Sequence, residues 1–321
     1  MKKEKILVIG AYGQIGTELT AALRRKHGAA NVIATDINIP AHMAEEEDTC
    51  LYLDVLNRKA LDAIVIKYSI TQIYLLAAML SANGEQQPMK AWDLNMQSLI
   101  NVLECAREHV VSKVFWPSSI AVFGLFALKK NCPQHTVLQP ATMYGVSKAA
   151  GEDWCNYYHD KFGVDVRSIR FPGLISHSCP PGGGTTDYAV DIFHQAIHSG
   201  RYTCFLKRDT RLPMLYMPDA IRAVLELMDA PGDTLTVRTS YNISSLDFTP
   251  AELAEAIRKI LPAFQIDYAP DYRQAIAESW PRSIDARFAK ADWHWSPQYD
   301  LAAMTADMLQ ELMYAEKMIV Y

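Results

Sequence analysis

The stretch Ile6-Leu-Val-Ile-Gly10-Ala-Tyr-Gly13-Gln-Ile-Gly16 decides the fold. A short apolar run leads into three glycines, each three residues after the last, and a helical pattern covers about residues 14 to 26. The first glycine permits a tight strand-to-helix turn, the second lets backbone approach a pyrophosphate, and the third lets helix pack on strand. The helix N-terminus adds unpaired N–H groups and a positive dipole end. Together these features predict a nucleotide-binding βαβ unit.

A carboxylate follows at the expected distance from this turn. The next strand-like run covers residues 31 to 35 and ends at Asp36, about 20 residues after Gly16. A carboxylate there accepts from both adenosine ribose hydroxyls and repels a 2′-phosphate, which predicts NAD rather than NADP. Asp54 and Val55 end the third strand-like run and are expected near the adenine. An aspartate at a strand end is also a common turn former, so a purely local role for either acid stays open.

Strand and helix patterns alternate through the first half of the chain. Strand-like runs at 72–76, 113–116 and 166–170 are separated by helical patterns at 59–68, at 91–109 and around Tyr144. Parallel strands joined by helical crossovers predict an α/β fold with a doubly wound parallel Rossmann sheet, whose ligands lie at the strand C-termini. The regularity fades after Gly173, which predicts a smaller, discontinuous C-terminal substrate domain. We expect a dinucleotide-binding domain at 1–173, with about 213–245 returning to it, and a mainly substrate-binding domain at 174–321.

Tyr144 and Lys148 form the chemical motif Tyr-Gly-Val-Ser-Lys, one helical turn apart on the same helix face. A phenol has a pKa near 10 and needs a nearby cation to act as a base at neutral pH. One charge at about 4 Å supplies about 4 kcal/mol at an effective dielectric near 20, whereas lowering the pKa by two units needs about 2.7 kcal/mol. The pair therefore predicts a tyrosine base with a lowered pKa. The alternative is that both residues decorate a solvated helix.

Composition excludes several other classes of function. The formal net charge of −5 over 321 residues, without a long single-sign run, argues against nucleic acid or an anionic membrane as a partner. The apolar run at Ile6 is too short for a signal peptide or a membrane span, so we expect a cytoplasmic protein. The six cysteines show no CxxC pair, and His194 and His198 lack the intervening glutamate of a metalloprotease helix. No metal site is predicted, which favours metal-free chemistry.

Further motifs are spread nearly from end to end of the chain. They are Gly-Ala-Tyr-Gly-Gln-Ile-Gly-Thr-Glu-Leu at 10–19, Leu-Ala-Ala-Met-Leu-Ser at 76–81, Ala-Trp-Asp-Leu-Asn-Met at 91–96, Ser-Ser-Ile-Ala-Val-Phe-Gly at 118–124, Arg-Phe-Pro-Gly-Leu-Ile-Ser at 170–176, Pro-Pro-Gly-Gly-Gly-Thr-Thr-Asp-Tyr-Ala-Val-Asp-Ile-Phe at 180–193 and Ser-Trp-Pro at 279–281. With the Tyr144 motif, the chain resembles the extended short-chain dehydrogenase/reductase (NAD-dependent epimerase/dehydratase) family. Within it, the chain more closely resembles the short-chain type of L-threonine 3-dehydrogenase.

The resemblance implies a set of site residues. The catalytic residues it implies are Tyr144 as base, Ser119 as hydrogen-bond donor to the reacting oxygen, and Lys148 on the nicotinamide ribose. The residues expected to bind the cofactor are Gly10, Gly13, Gln14, Ile15, Gly16, Asp36, Asp54, Val55, Leu76, Ala77, Ala78, Asn95, Tyr144, Lys148, Pro172 and Leu174. The residues expected to bind the substrate are Ser81, Ser118, Ser119, Tyr144, Gly184, Thr185, Thr186 and Trp280.

The reaction that the resemblance implies is NAD-dependent oxidation of L-threonine to 2-amino-3-oxobutyrate. A sugar-nucleotide epimerase or dehydratase is the nearest alternative. Those enzymes place an arginine where this chain has Leu212, and the adjacent Arg211 would point the other way on an extended segment. A non-catalytic NAD-sensing regulator is a second alternative, for which loss of the tyrosine or lysine would be the signature. The resemblance also implies a homodimer built on the helix at 91–109 and the helix that carries Tyr144.

Overall fold

The computed structural model describes residues 4–40, 49–109, 111–178, 184–243 and 246–319. The elements of the first half are β1 (Ile6–Ile9), α1 (Gln14–His27), β2 (Val32–Asp36), β3 (Cys50–Tyr52), α2 (Arg58–Tyr68), β4 (Gln72–Leu75), α3 (Ser81–Gln86), α4 (Pro88–His109), β5 (Lys113–Ser119), α5 (Met143–Phe162) and β6 (Val166–Phe171). The elements of the second half are β7 (Gly173–Ile175), α6 (Tyr188–His198), β8 (Arg201–Cys204), β9 (Leu212–Tyr216), α7 (Met217–Asp229), β10 (Tyr241–Asn242), β11 (Leu246–Phe248), α8 (Pro250–Arg258), β12 (Gln265–Tyr268), α9 (Arg273–Ser279), α10 (Arg287–Trp293) and α11 (Leu301–Ile319).

A central sheet of seven described strands organises the molecule, in the order β10-β6-β5-β4-β1-β2-β3. Every described neighbouring pair in it is parallel. Strand β1 lies between β2 and β4, with Ile6 opposite both Val32 and Gln72. The chain order reverses beside β1, and a crevice forms there outside the carboxyl ends of the strands. The predicted doubly wound α/β sheet is confirmed.

The sequence of β1 explains its central place. All four of its residues are buried, and alternate side chains enter different core clusters. Ile6 and Val8 pack with Leu19 of α1, whereas Leu7 and Ile9 pack with Leu99 of α4. Successive side chains of a strand point to opposite faces, so a continuous apolar run is what a strand covered by helices on both faces requires.

The second half builds a smaller layer beside the sheet's carboxyl edge. Strands β7, β9 and β11 form a three-stranded sheet, and β8 pairs with β12. Helix α7 packs on α1 and β6, and β10 extends the central sheet beside β6. These contacts support the proposed return of about 213–245 to the dinucleotide-binding domain, although β9 itself pairs with β7 and β11. The end of that range, residues 244 and 245, lies outside the described residues.

The last described helix closes the smaller core. Met304 and Met308 of α11 are fully buried against a cluster that includes Tyr188 and Phe193 of α6. Among the helices that the structure describes, none combines the length and apolar character needed to cross a membrane.

Candidate active site

The turn after β1 depends on glycine at two positions. Gly10 has a φ of +83°, and a Cβ there would lie 2.7 Å from the backbone nitrogen of Ala77. A Cβ on Gly16 would lie 2.1 Å from the carbonyl oxygen of Gly10, so helix α1 could not approach the strand. Gly13 differs, because its nearest atom would be 3.6 Å away. Backbone therefore borders open space at Gly13, in front of the α1 N-terminus.

An outer cavity of about 230 Å³ lies beside this turn. The predicted cofactor residues that line it are Gly10, Gly13, Asp36, Asp54, Val55, Leu76, Ala77 and Ala78. Asp36 ends β2 there, and its carboxylate accepts hydrogen bonds from the backbone N–H groups of Tyr12 at 3.1 Å and Asn38 at 3.0 Å. These bonds fix the carboxylate at the cavity wall and also tie it to the turn. The position of Asp36 is therefore compatible with binding of the adenosine ribose and with a local role in the turn.

An inner cavity of about 150 Å³ adjoins the outer one, and Leu76 and Ala78 line both. The other predicted residues that line the inner cavity are Gln14, Ile15, Ser81, Ser118, Ser119, Tyr144, Lys148, Pro172, Leu174, Gly184, Thr185, Thr186 and Trp280. Two predicted cofactor residues line neither cavity. Gly16 is buried beneath the turn. Asn95 is buried as well, with its side chain bonded to both backbone groups of Met79 and to the Ser147 hydroxyl. Asn95 thus supports the loop after β4 from behind.

A close backbone approach brings the catalytic candidates together. Helix α5 begins with the Thr142 side chain accepting from the Gly145 N–H at 3.1 Å. A Cβ on Gly145 would lie 2.2 Å from the carbonyl oxygen of Ala121, two residues after Ser119. The glycine inside the motif therefore lets the first turn of α5 rest on the turn that follows β5. Tyr144 and Ser119 consequently face the same cavity.

Lys148 lies one turn further along α5 and is buried. Its ammonium donates to the carbonyl oxygen of Pro117 at 2.6 Å. The Nζ atom lies 4.4 Å from the centroid of the Trp116 ring and 5.5 Å from that of Tyr144. Burial lowers the pKa of Lys148 to about 7, and the nearby Cys155 and Glu152 only partly oppose this.

The expected lowering of the Tyr144 pKa is wrong for this structure. Burial raises the pKa of Tyr144 to about 12, and the Ser119 hydroxyl provides the opposing effect. The sequence correctly gives the spacing of the lysine, but it does not show how deeply the phenol is buried. Desolvation disfavours the charged phenolate. It also disfavours the charged form of Lys148, whose ammonium was expected to stabilise that phenolate.

A buried ion pair supports the wall behind Ser118. Arg170 forms a bidentate salt bridge with Glu152, in which Nε donates to Oε1 at 2.9 Å and Nη2 donates to Oε2 at 2.7 Å. Both side chains are almost fully buried. The Ser118 hydroxyl donates to the same carboxylate at 2.6 Å. Because its proton is committed to Glu152, the Ser118 oxygen can offer lone pairs to the cavity as an acceptor.

Several cavity residues are absent from the sequence predictions. They are Leu80, Pro117, Ile120, Ala121, Phe171 and Asp187. Asp187 matters most because it is a carboxylate at the cavity, and it accepts the Gly184 N–H at 2.6 Å. Asp187 directly follows Thr185 and Thr186 in the sequence, and this position could have indicated that it lines the same cavity. The preceding part of the glycine-rich loop, residues 179–183, lies outside the described residues.

Within the described residues, Asp62, Cys105 and His109 place possible metal-ligand atoms within 4.8 Å of one another. Arg58 donates to the same Asp62 oxygen at 2.8 Å that His109 contacts at 3.1 Å. Burial raises the pKa of Cys105 to about 12, so the thiol keeps its proton. A guanidinium already occupies the cation position, and we interpret the group as a hydrogen-bonded cluster between α2 and α4.

Comparisons with known proteins agree with this geometry. Residues 6–244 match the model of the NAD dependent epimerase/dehydratase family. An uncharacterized epimerase/dehydratase of Staphylococcus haemolyticus is 49% identical over 96% of this chain and 98% of that protein. The L-threonine dehydrogenase from Cupriavidus necator, in its holo form, is 57% identical, with a TM-score of 0.92 over 96% of this chain and 99% of that one. A monomeric L-threonine 3-dehydrogenase from a metagenome is 45% identical, with a TM-score of 0.93 over 97% of this chain and 99% of that one.

Proposed function

The chain belongs to the NAD dependent epimerase/dehydratase family, and on that premise we propose that it oxidises L-threonine to 2-amino-3-oxobutyrate with NAD. The observation that best supports this proposal is that Tyr144, Ser119 and Lys148 all line the inner cavity. That cavity adjoins the outer cavity beside the glycine turn. Two similar solved structures, at 57% and 45% identity, are L-threonine dehydrogenases, which supports this substrate over others in the family.

The outer cavity fits a dinucleotide. Gly13 leaves room for phosphate oxygens at the α1 N-terminus, and the helix dipole favours their charge. Asp36 would accept hydrogen bonds from the adenosine ribose, and Asp54 and Val55 would border the adenine. Bound NAD would supply the acceptor for the hydride that leaves the hydroxyl-bearing carbon of the substrate.

Tyr144 would take the proton of the substrate hydroxyl. Ser119 is suited to hold the reacting oxygen, because its own oxygen accepts the Ala121 N–H at 3.2 Å and its proton is left to donate. Lys148, when protonated, would favour the phenolate of Tyr144 and donate to the nicotinamide ribose, as the family resemblance implies. We assign the base, the donor and the cation to three different side chains that line one cavity.

The rest of the inner cavity suits a small zwitterion. Thr185 and Thr186 would offer hydroxyl groups to the substrate carboxylate, and Ser81 lines the same cavity. The N–H of Gly184 is engaged by Asp187 in this structure, so the two threonines carry that role. We assign the ammonium group to the Asp187 carboxylate and the accepting Ser118 oxygen, because charge-assisted hydrogen bonds are the strong ones in such a site. Trp280 closes the remaining side.

The alternatives are less well supported. A sugar-nucleotide enzyme would need an arginine for the substrate pyrophosphate, and Leu212 is fully buried in β9. The neighbouring Arg211 is held by Asp247 and Glu252. A non-catalytic regulator has no need to keep the base, the lysine and the serine around one cavity.

A direct assay tests the proposed reaction. With the purified protein and NAD, L-threonine should give NADH, followed by absorbance. (R)-3-hydroxybutyrate keeps the configuration of the hydroxyl-bearing carbon of L-threonine but lacks the ammonium group, so the proposed charge-assisted bond to Asp187 would be lost, and we expect kcat/KM at least about 10²-fold lower. NADH formation from a UDP-sugar but not from L-threonine would contradict the proposal and favour the epimerase or dehydratase alternative.

The proposed homodimer has a candidate surface. The exposed apolar side chains of α5 include Trp154, Tyr157 and Phe162, at 36%, 51% and 44% exposure, and Met89 of α4 is 66% exposed. Paired across a two-fold axis, these side chains would be removed from water, which is favourable. Sedimentation equilibrium should give twice the mass of the chain, and Trp154→Glu should give the monomer with its activity retained. A wild-type monomer, the state named for the metagenome relative, would contradict the proposal.

A further inference from the structure

Trp280 separates two cavities. It lines the inner cavity, and it also lines a polar cavity of about 360 Å³ that borders Lys129 and Arg282. The tryptophan is only 6% exposed. It belongs to the buried core cluster of the smaller layer, and the backbone that carries it determines where the indole meets the two cavities.

That backbone is the C-terminal end of α9. The last carbonyl groups of a helix have no partners within the helix. Here the Lys129 ammonium donates to three successive carbonyl oxygens, those of Glu278 at 2.9 Å, Ser279 at 3.1 Å and Trp280 at 3.3 Å. A cation at this position also interacts favourably with the helix dipole. One side chain therefore gathers the carbonyl of Trp280 and those of the two residues before it.

The chain after Trp280 is bound to the same loop that carries Lys129. The Arg282 N–H donates to the Lys129 carbonyl at 2.7 Å, and the Cys132 N–H donates to the Ser283 carbonyl at 3.0 Å. The loop itself comes from the nucleotide-binding half and starts shortly after Ser119. The backbone before Trp280 and the backbone after it are thus both hydrogen-bonded to the segment that follows β5, the strand that ends at Ser119.

We propose that Lys129 is a positioning residue for the substrate cavity, whose ammonium holds the end of α9 and so fixes Trp280 as the cavity wall. This inference rests on the proposed oxidation of L-threonine. Trp280 would contact bound substrate equally before and during the reaction, so losing the contact weakens binding more than it slows chemistry. Without the ammonium, the indole gains freedom to shift toward the polar cavity, and the substrate cavity widens.

Steady-state kinetics of Lys129→Met test the proposal. We expect KM for L-threonine to rise about 10-fold while kcat stays within about 2-fold of the wild-type value. This result indicates the loss of a contact that is equally strong in the substrate complex and in the transition state. Relative kcat/KM for L-3-hydroxynorvaline, which is one methylene longer, should rise because the cavity is wider. Lys129→Arg keeps a cation and should restore most of the affinity. Lys207→Met is the matched control, since the Lys207 ammonium pairs with the exposed side chain of Glu278 rather than with the carbonyl groups at the end of the helix.

Backbone hydrogen exchange gives a readout that does not need activity. In protein without substrate, Lys129→Met should speed exchange in peptides covering 280–285, and Lys207→Met should not. Unchanged exchange, or faster exchange with KM unmoved, would overturn the positioning role. If the wild type fails to oxidise L-threonine, the proposed function fails, and faster exchange in Lys129→Met would still establish the anchoring of Trp280.

Discussion

Tyr144→Phe should lower turnover of L-threonine by about 10³-fold, because a positioned general base contributes about 10² to 10⁴-fold. The substitution removes one oxygen and keeps the ring that packs on the smaller core. The adenosine and pyrophosphate are proposed to lie in the outer cavity, which Tyr144 does not line, so affinity for NADH should stay within about 2-fold. Turnover is measured from NADH formation and affinity from NADH fluorescence titration.

The pH dependence sharpens this result. Burial raises the pKa of Tyr144 to about 12, so the phenolate is scarce at neutral pH and its fraction grows as pH rises. Wild-type turnover should therefore increase from pH 7 to 10. Burial lowers the pKa of Lys148 to about 7, so the charge that favours the phenolate is lost over the same range. The rise should be shallower than 10-fold per pH unit for this reason.

Tyr157→Phe is the matched control for Tyr144→Phe. Tyr157 lies on the same helix but is 51% exposed, so losing its hydroxyl should leave turnover and its pH dependence unchanged. A Tyr144→Phe enzyme with near-normal turnover, or with the same rise with pH as the wild type, would refute the assignment of the base.

Local features of the sequence predicted the nucleotide half well. Gly10 is required by its positive φ and Gly16 by its contact with the Gly10 carbonyl within the same turn, and the four-residue step from Tyr144 to Lys148 follows from helix geometry. The strands were recognisable because sheets covered on both faces need continuous apolar runs. Such constraints act over short stretches, so they can be read without a structure.

Contacts between distant segments could not be predicted in the same way. Lys129 meets the Glu278 carbonyl across 149 residues, and no local pattern marks that pairing. Asn95 shows a related limit, since the family motif gives its place on α4 but its side chain turns to Met79 and Ser147. The raised pKa of Tyr144 also depends on burial by several segments, which spacing alone does not reveal.

Asp36→Asn should shift the preference between NAD and NADP by about 10²-fold or more. A carboxylate repels a 2′-phosphate by about 4 kcal/mol at 4 Å and an effective dielectric near 20, and hydrogen bonds to a charged group contribute about 1.5–3 kcal/mol. Removing the charge therefore weakens use of NAD and relieves the penalty on NADP. The asparagine oxygen can still accept from the Tyr12 or Asn38 N–H, so the turn should survive. The measurement is kcat/KM for each dinucleotide at saturating L-threonine.

Asp54→Asn separates this specific effect from a general loss of negative charge. Asp54 lines the same outer cavity, and its side chain accepts the Leu56 N–H at 3.0 Å. We place it near the adenine, which NAD and NADP share, so its neutralisation should change kcat/KM for both dinucleotides by similar factors and leave their ratio nearly constant. An unmoved ratio in Asp36→Asn would remove Asp36 from the ribose. Equal shifts of the ratio in both variants would show that the net charge of the cavity, rather than the position of one carboxylate, selects NAD.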